Sequence, residues 1–400
     1  MSAPAMPHAK YGRFTVPFAG VGVICLFAAA VLGMHDSTAA FRSYLFAYIY
    51  WFVIPIGCLG LLMLHHLVGG WWGLPLRRMA EAGTRTLPLS AILFIPVALS
   101  MSKLYSWIYD PGQFTDTANE KLNYSFKLAY LTPHGYVVRA VIYFVIWFAI
   151  VVLLNRFSRE QDAAGADGTK FALRMEGLAG PGIILTVFAL TFAMVDWVMS
   201  LEPKWFSTIY GFLFMVIGCL TALSFMIIVL SGIADEEPTR HAVSPQSLND
   251  MGNLMLAFTM LWAYMSFSQL LIIWAGNIKD EIPWYVSRAF GSWGALAAIL
   301  IVLHFAVPFL LLLQRMVKRN LRRLRLVTML MMVLSALDVY WLVMPAFYPK
   351  GIQFAITDVL AFFGIGGLWL AVFFWQYGRM PVLPLHDPRF EGALAHEHGD

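Results

Sequence analysis

Ten long apolar runs constrain this chain more than any other feature; they lie near 16–34, 44–68, 87–107, 134–154, 180–200, 208–231, 252–275, 289–313, 324–344 and 356–377. A hydrocarbon core of about 30 Å takes roughly 20 apolar residues per helix. Backbone groups in lipid must be satisfied within the protein, which leaves a helix bundle or a closed barrel. The runs are continuous and lack the alternation of a barrel strand. The sequence therefore predicts an all-α polytopic membrane protein of about ten transmembrane helices. The predicted organisation is a short N-terminus (1–15), one transmembrane domain (16–377) and a polar tail (378–400). Charged residues are only 12% of the 400, far below a soluble domain.

The first run follows Lys10 and Arg13 as a signal peptide would. It is longer than a typical signal core and nine more spans follow, so an uncleaved helix is expected. Eighteen Lys and Arg fall in or beside the termini and the loops after even-numbered spans, against eight in or beside the other loops. The positive-inside rule then puts both termini in the cytoplasm. The run "QRMVKRNLRRLR" (314–325) contributes most to that bias and reads as a topology anchor near anionic lipid, not a nucleic-acid site.

Cys25, Cys58 and Cys219 all lie within spans, and no CxxC or CxxCH occurs. Iron–sulfur or c-type haem ligation by this chain is not expected. Phosphate-loop and HExxH motifs are missing too, so nucleotide and zinc hydrolysis have no support. His396 and His398 in the tail read as part of a mobile end and not as a metal site.

An ionisable group in a bilayer costs about 2.5–3.5 kcal/mol at a helix centre, so each needs a reason. Those within the predicted spans, beyond the first two residues of each, are His65, His66, Lys103, Arg139, Asp196, His304, Asp338 and Asp358. The derived topology puts the acids, Lys103 and Arg139 in the external half and the three histidines in the internal half. Acids and bases grouped externally are candidates for a quinol site or proton path, because quinol oxidation must release protons to a nearby acid or imidazole. Interhelical ion pairs would serve equally well as an explanation, and Lys103 is long enough to snorkel. One b-type haem between His65 or His66 and His304 is conceivable. The preferred reading is a polar contact followed by a Gly-Gly turn and the interfacial Trp71 and Trp72.

The stretch "DWVMSLEPKWFSTIYG" (196–211) places an acid just inside the membrane, with Glu202 and Lys204 at the surface. Pro203 is expected to stop the fifth span, with Trp197 and Trp205 anchoring the turn at headgroup depth. A similar design recurs in "YMSFSQLLIIWAGNIKDEIPWY" (264–285), which supplies Ser266, Ser268, Gln269 and the anchor candidate Trp284. Asp338 is expected at a depth similar to Asp196, completing a pair.

Five blocks in order resemble one known family: "LMLHHLVGGWWG", "DWVMSLEPKWFSTIYG", "SQLLIIWAGNIKDEIPWY", "PFLLLLQRMVKRNLRRL" and "DVYWLVMPAF". Together they resemble the F-type membrane subunit of bacterial alternative complex III, a quinol:cytochrome c oxidoreductase, in the NrfD/polysulfide-reductase-like family. That resemblance implies two four-helix bundles plus two peripheral helices. It also implies partners: a homologous NrfD-like membrane subunit, an iron–sulfur subunit and c-type cytochrome subunits, with haem c and the clusters on those partners. Quinol is the ligand it would imply, although the homologous subunit is the better-supported quinol site in such complexes. A secondary transporter or ion channel is the rival reading, since Pro55, Pro96 and Pro308 interrupt spans. A purely structural anchor is the third.

Overall fold

The computed structural model describes residues 9–110, 126–164, 168–237, 239–384 and 387. The stretch 111–125 and the tail histidines 396 and 398 lie outside the described residues. Ten described helices are long and apolar enough to cross a membrane. They are α1 Thr15–Gly33, α2 Ser37–Val68, α3 Arg77–Leu99, α4 Pro133–Ala164, α5 Thr169–Trp197, α6 Tyr210–Ser231, α7 Pro245–Gly276, α8 Gly291–Leu313, α9 Leu321–Val343 and α10 Ile356–Tyr377. No strand occurs among the described residues. This is an all-α polytopic membrane fold.

Helices α2 to α5 pack into one four-helix bundle and α6 to α9 into a second, while α1 pairs with α10. The two bundles meet chiefly along α2 and α6, where the backbones come together at Gly57 and Gly218. A Cβ on Gly57 would fall 2.0 Å from the Gly218 carbonyl oxygen. Small residues at a membrane helix crossing permit that approach, which maximises van der Waals contact where lipid offers no hydrophobic gain. Central α2 is buried along its best membrane-spanning stretch, in contrast to α1, whose residues mostly face outward. α10 is less peripheral than expected, because it also packs on α2.

Two expected interruptions come out differently. Pro55 lies inside α2 without ending it; neighbouring helices sustain a backbone that water alone would not. Pro308 follows a π-helical stretch, Leu300–Ala306, in the middle of α8. Proline has no N–H to bond the carbonyl four residues back, here that of His304, so the local ladder widens. The third span also begins earlier than expected. Its first turns, Arg77–Thr84, are fully buried, and α3 ends at Leu99 ahead of Lys103.

Candidate functional site

Alternation of the helices brings the ends of α1, α3, α5, α7 and α9 to one face. The first buried carboxylate there is Asp196, near the end of α5, which is 0% exposed. Arg139 of α4 grips it with two bonds of 2.9 Å, Nε to Oδ2 and Nη2 to Oδ1. The Tyr143 hydroxyl donates to Oδ2 at 2.8 Å. Arg139 in turn donates to the Tyr130 carbonyl and lies over the Tyr130 ring, 3.8 Å from its centroid. A planar guanidinium meeting a carboxylate with two parallel bonds is the geometry of a fixed ion pair. Asp196 thus joins α4 to α5.

Trp197 and Trp205 do not anchor the turn at headgroup depth, as expected, but point inward. Trp197 fills the first bundle, 4.5 Å from Phe94 and 5.1 Å from Phe52 by ring centroids. Trp205 stacks on Trp284 at 4.5 Å, with ring planes only 11° apart. Neither the Trp197 nor the Trp205 indole N–H has a hydrogen-bond partner among the described residues. Large ring surface buried against other rings outweighs an interfacial hydrogen bond here. The tryptophan that faces outward at this end is Trp274.

Between them, the turn after α5 sends Glu202 to Arg288, with Oε2 2.6 Å from Nη2. Arg288 belongs to the short helix Ile282–Ala289 and is fully buried. It also donates to the carbonyls of Trp284 and Leu342. Lys204 is exposed beside this clasp. Composition alone gives no reason to single out Arg288, which counts only as a loop cation in the sequence.

Arg288 borders a cleft of about 680 Å³ between α7, the short helix, α8 and α9. Most of its wall is apolar or aromatic, and its polar groups are few: Asp338, Gln269, Ser266, Tyr285 and the Trp262 indole beside Arg288. Asp338 on α9 is 3% exposed and accepts from Trp262 Nε1 at 2.8 Å. Gln269 Oε1 accepts from Ser207 at 3.1 Å. Burial pushes the Tyr285 phenol up to about 12, which keeps it a neutral donor. An apolar cleft of this size with a few convergent polar groups has the character of a small-molecule site.

The expected pairing of Asp196 with Asp338 is not what the fold builds. Asp196 is bound within the first bundle and Asp338 within the second. The three histidines also separate. His65 and His66 lie side by side at the end of α2, with His65 against Trp72 and pressed by Gly73. His304, by contrast, packs edge-on to Trp262 at 4.5 Å and approaches Ser335 at 3.4 Å. His65 and His66 therefore do not face His304 across one bundle, as the haem arrangement would need. The Gly-Gly turn after α2 is present, with Gly69 and Gly70 both at positive φ. Among the described residues no group of three or more His, Cys, Asp or Glu is placed to hold a metal ion.

Lys103 and Asp358 leave the candidate site. Lys103 is exposed and donates to Ser37 at 2.8 Å. Asp358 stands in the first turn of α10, where it accepts from the Ala355 backbone N–H at 3.0 Å and from Ser43 at 2.6 Å. A carboxylate there satisfies an orphan helix donor and complements the helix dipole.

At the opposite face a second ion cluster escapes sequence reading. Arg77 meets Glu81 at 3.0 Å and Asp387 at 2.6 Å, and Arg78 meets Glu81 at 2.8 Å and also Asp162. Ser158 and Gln161 accept further bonds from Arg77. In the sequence these arginines are only topology votes.

No protein-family model matches the chain, and neither does any curated protein.

Proposed function

We propose that this chain is the membrane subunit of a quinol-oxidising electron-transfer complex in the bacterial inner membrane, with both termini in the cytoplasm. The observation that carries the reading is Asp338, a carboxylate buried within a membrane helix at the edge of an apolar cleft. An acid in that position is costly to insert and is retained where protons or polar ligands must be handled. Oxidation of one quinol releases two electrons and two protons. In this reading the electrons pass to iron–sulfur and c-type haem partners, beside a homologous membrane subunit, while Asp338 accepts one of the two protons and the other leaves to water. The five-block resemblance supports the same assembly. Asp196 holds the scaffold on which those partners dock.

Affinity purification from native membranes tests the reading. The expected result is a stable set of haem- and iron–sulfur-containing partners whose quinol oxidation drops at least tenfold with Asp338→Asn while the assembly persists. Recovery of the chain without redox partners would refute the reading and favour a transporter.

A further inference from the structure

We propose that the turn between α8 and α9 is a binding site for an anionic membrane lipid that carries two phosphates on one headgroup.

Residues 315–325 hold five arginines and one lysine, and no Asp or Glu occurs between Glu281 and Asp338. All five arginines are exposed. Arg315, Arg319, Arg322 and Arg325 make no side-chain hydrogen bond or ion pair among the described residues. Elsewhere Arg77, Arg78, Arg139 and Arg288 are each held by a carboxylate. A guanidinium left open offers a phosphate two parallel N–H bonds.

The four open arginines form two pairs. Arg315 and Arg319 stand four residues apart along the short helix Arg315–Lys318, where the Arg319 backbone N–H bonds the Arg315 carbonyl at 2.9 Å. Arg322 and Arg325 stand three apart in the first turns of α9. Helical neighbours at these spacings share a face. Only three residues separate Arg319 from Arg322, so chain reach keeps their backbones within about 11 Å. Two such pairs suit two linked phosphates.

The turn that carries them is fixed. A Cβ on Gly252 of α7 would come within 2.5 Å of Lys318 Cγ, and Lys318 Nζ donates to Asn253 at 2.6 Å. Asn320 caps α9 by accepting from the Arg323 backbone N–H at 3.1 Å. A ligand therefore need not order the backbone that binds it. Deeper in the membrane, the face of α9 that bears Arg322 and Arg325 presents Leu326, Met329 and Val333, all exposed. Leu313 and Met316 are exposed on the other arm. Cations above outward apolar side chains match a headgroup above acyl chains. A soluble anion would leave those side chains bare.

The test is a competition on the full chain in mild detergent, read by native mass spectrometry. Tetraoleoyl cardiolipin and dioleoyl-phosphatidylglycerol are supplied at equal negative charge. Retention of one cardiolipin per chain is expected, preferred about tenfold because a second phosphate adds charge-assisted bonds. Arg322→Lys with Arg325→Lys keeps the charge but loses the planar grip, and should shrink that preference severalfold. Arg156→Lys, at an exposed arginine already paired with Glu160, should leave it unchanged. Inorganic pyrophosphate, two linked phosphates without tails, should leave the lipid bound. Equal retention of the two lipids would reduce the turn to a diffuse surface charge and overturn the proposal. So would a preference that survives the double lysine variant, or an equal loss in Arg156→Lys. Displacement of cardiolipin by pyrophosphate would mark a site for soluble phosphates instead. Neither quinol nor a partner subunit enters the measurement, so its outcome is independent of the co-purification.

Discussion

Glu202 and Arg288 close the two bundles over one another at 2.6 Å, between a turn that leaves the first bundle and a short helix that roofs the cleft in the second. The Trp205–Trp284 stack lies in the same junction. Removing one partner of a fully buried pair costs about 3–5 kcal/mol. The Glu202 side chain keeps 27% of its surface open, so screening lowers the expected cost of Glu202→Gln to about 1–2 kcal/mol. Arg288→Met should cost less than the sum of its losses suggests, because it removes the buried charge itself. A double-mutant cycle by thermal melting in detergent measures the coupling. Additive losses would show that the clasp is decorative.

Asp196 and Asp338 should separate cleanly under the same substitution. Asp196→Asn keeps shape but leaves Arg139 facing a neutral group, so the main loss is in stability, about 1–3 kcal/mol. Asp338→Asn removes no ion pair and should leave melting within about 1 kcal/mol, since amide and indole still bond. Quinol oxidation should follow the opposite order. Equal activity loss in both variants would return Asp196 to the reaction.

How much of this was legible follows from what a hydropathy pattern carries. The ten spans stand out because lipid imposes a uniform solvent on every one of them. The cost of intramembrane charge likewise picks out Asp196, Arg139 and Asp338 residue by residue. Which of those meet is a different matter. Arg139 lies 57 positions from Asp196, and only the fold makes them partners while sending Asp338 to Trp262. Trp197 and Trp205 were misread because interfacial and interior tryptophans look alike next to an acid and a proline. Arg288, Arg77 and Arg78 went unnoticed for a related reason. An arginine near a span end counts as a loop charge until its buried carboxylate is seen.

Orientation has its own check. Single cysteines at 316 and 320, in a background free of Cys25, Cys58 and Cys219, should resist an impermeant maleimide in intact cells and react after lysis. A cysteine at 204 should react in both. The reverse pattern would invert the fold in the membrane and move the Glu202–Arg288 clasp to the inner face.

The seam between the bundles should tolerate almost nothing. Gly57→Ala puts a methyl where only backbone fits, and overpacking of this kind costs about 1–3 kcal/mol or more. Gly20→Ala on α1 meets nothing within 4 Å and serves as its control. Comparable melting of the two variants would mean that the bundles part more easily than this contact implies.

His304 offers the sharpest separation of packing from chemistry. It lies in the π-helical stretch of α8, fully buried, with Nδ1 lacking a hydrogen-bond partner among the described residues. Its ring edge backs Trp262, whose N–H is aimed at Asp338. His304→Ala should open a cavity behind the indole and cost about 2–4 kcal/mol. His304→Leu fills that space and gives up a group that is poorly satisfied where it stands, so stability should return to within about 1 kcal/mol of the parent. If imidazole acts only as a wedge behind Trp262, the leucine variant also keeps the quinol oxidation of the assembled complex. A leucine variant that melts normally but loses that activity would assign the ring a polar role through Ser335, and a b-type haem spectrum that disappears with either substitution would make His304 an axial ligand instead.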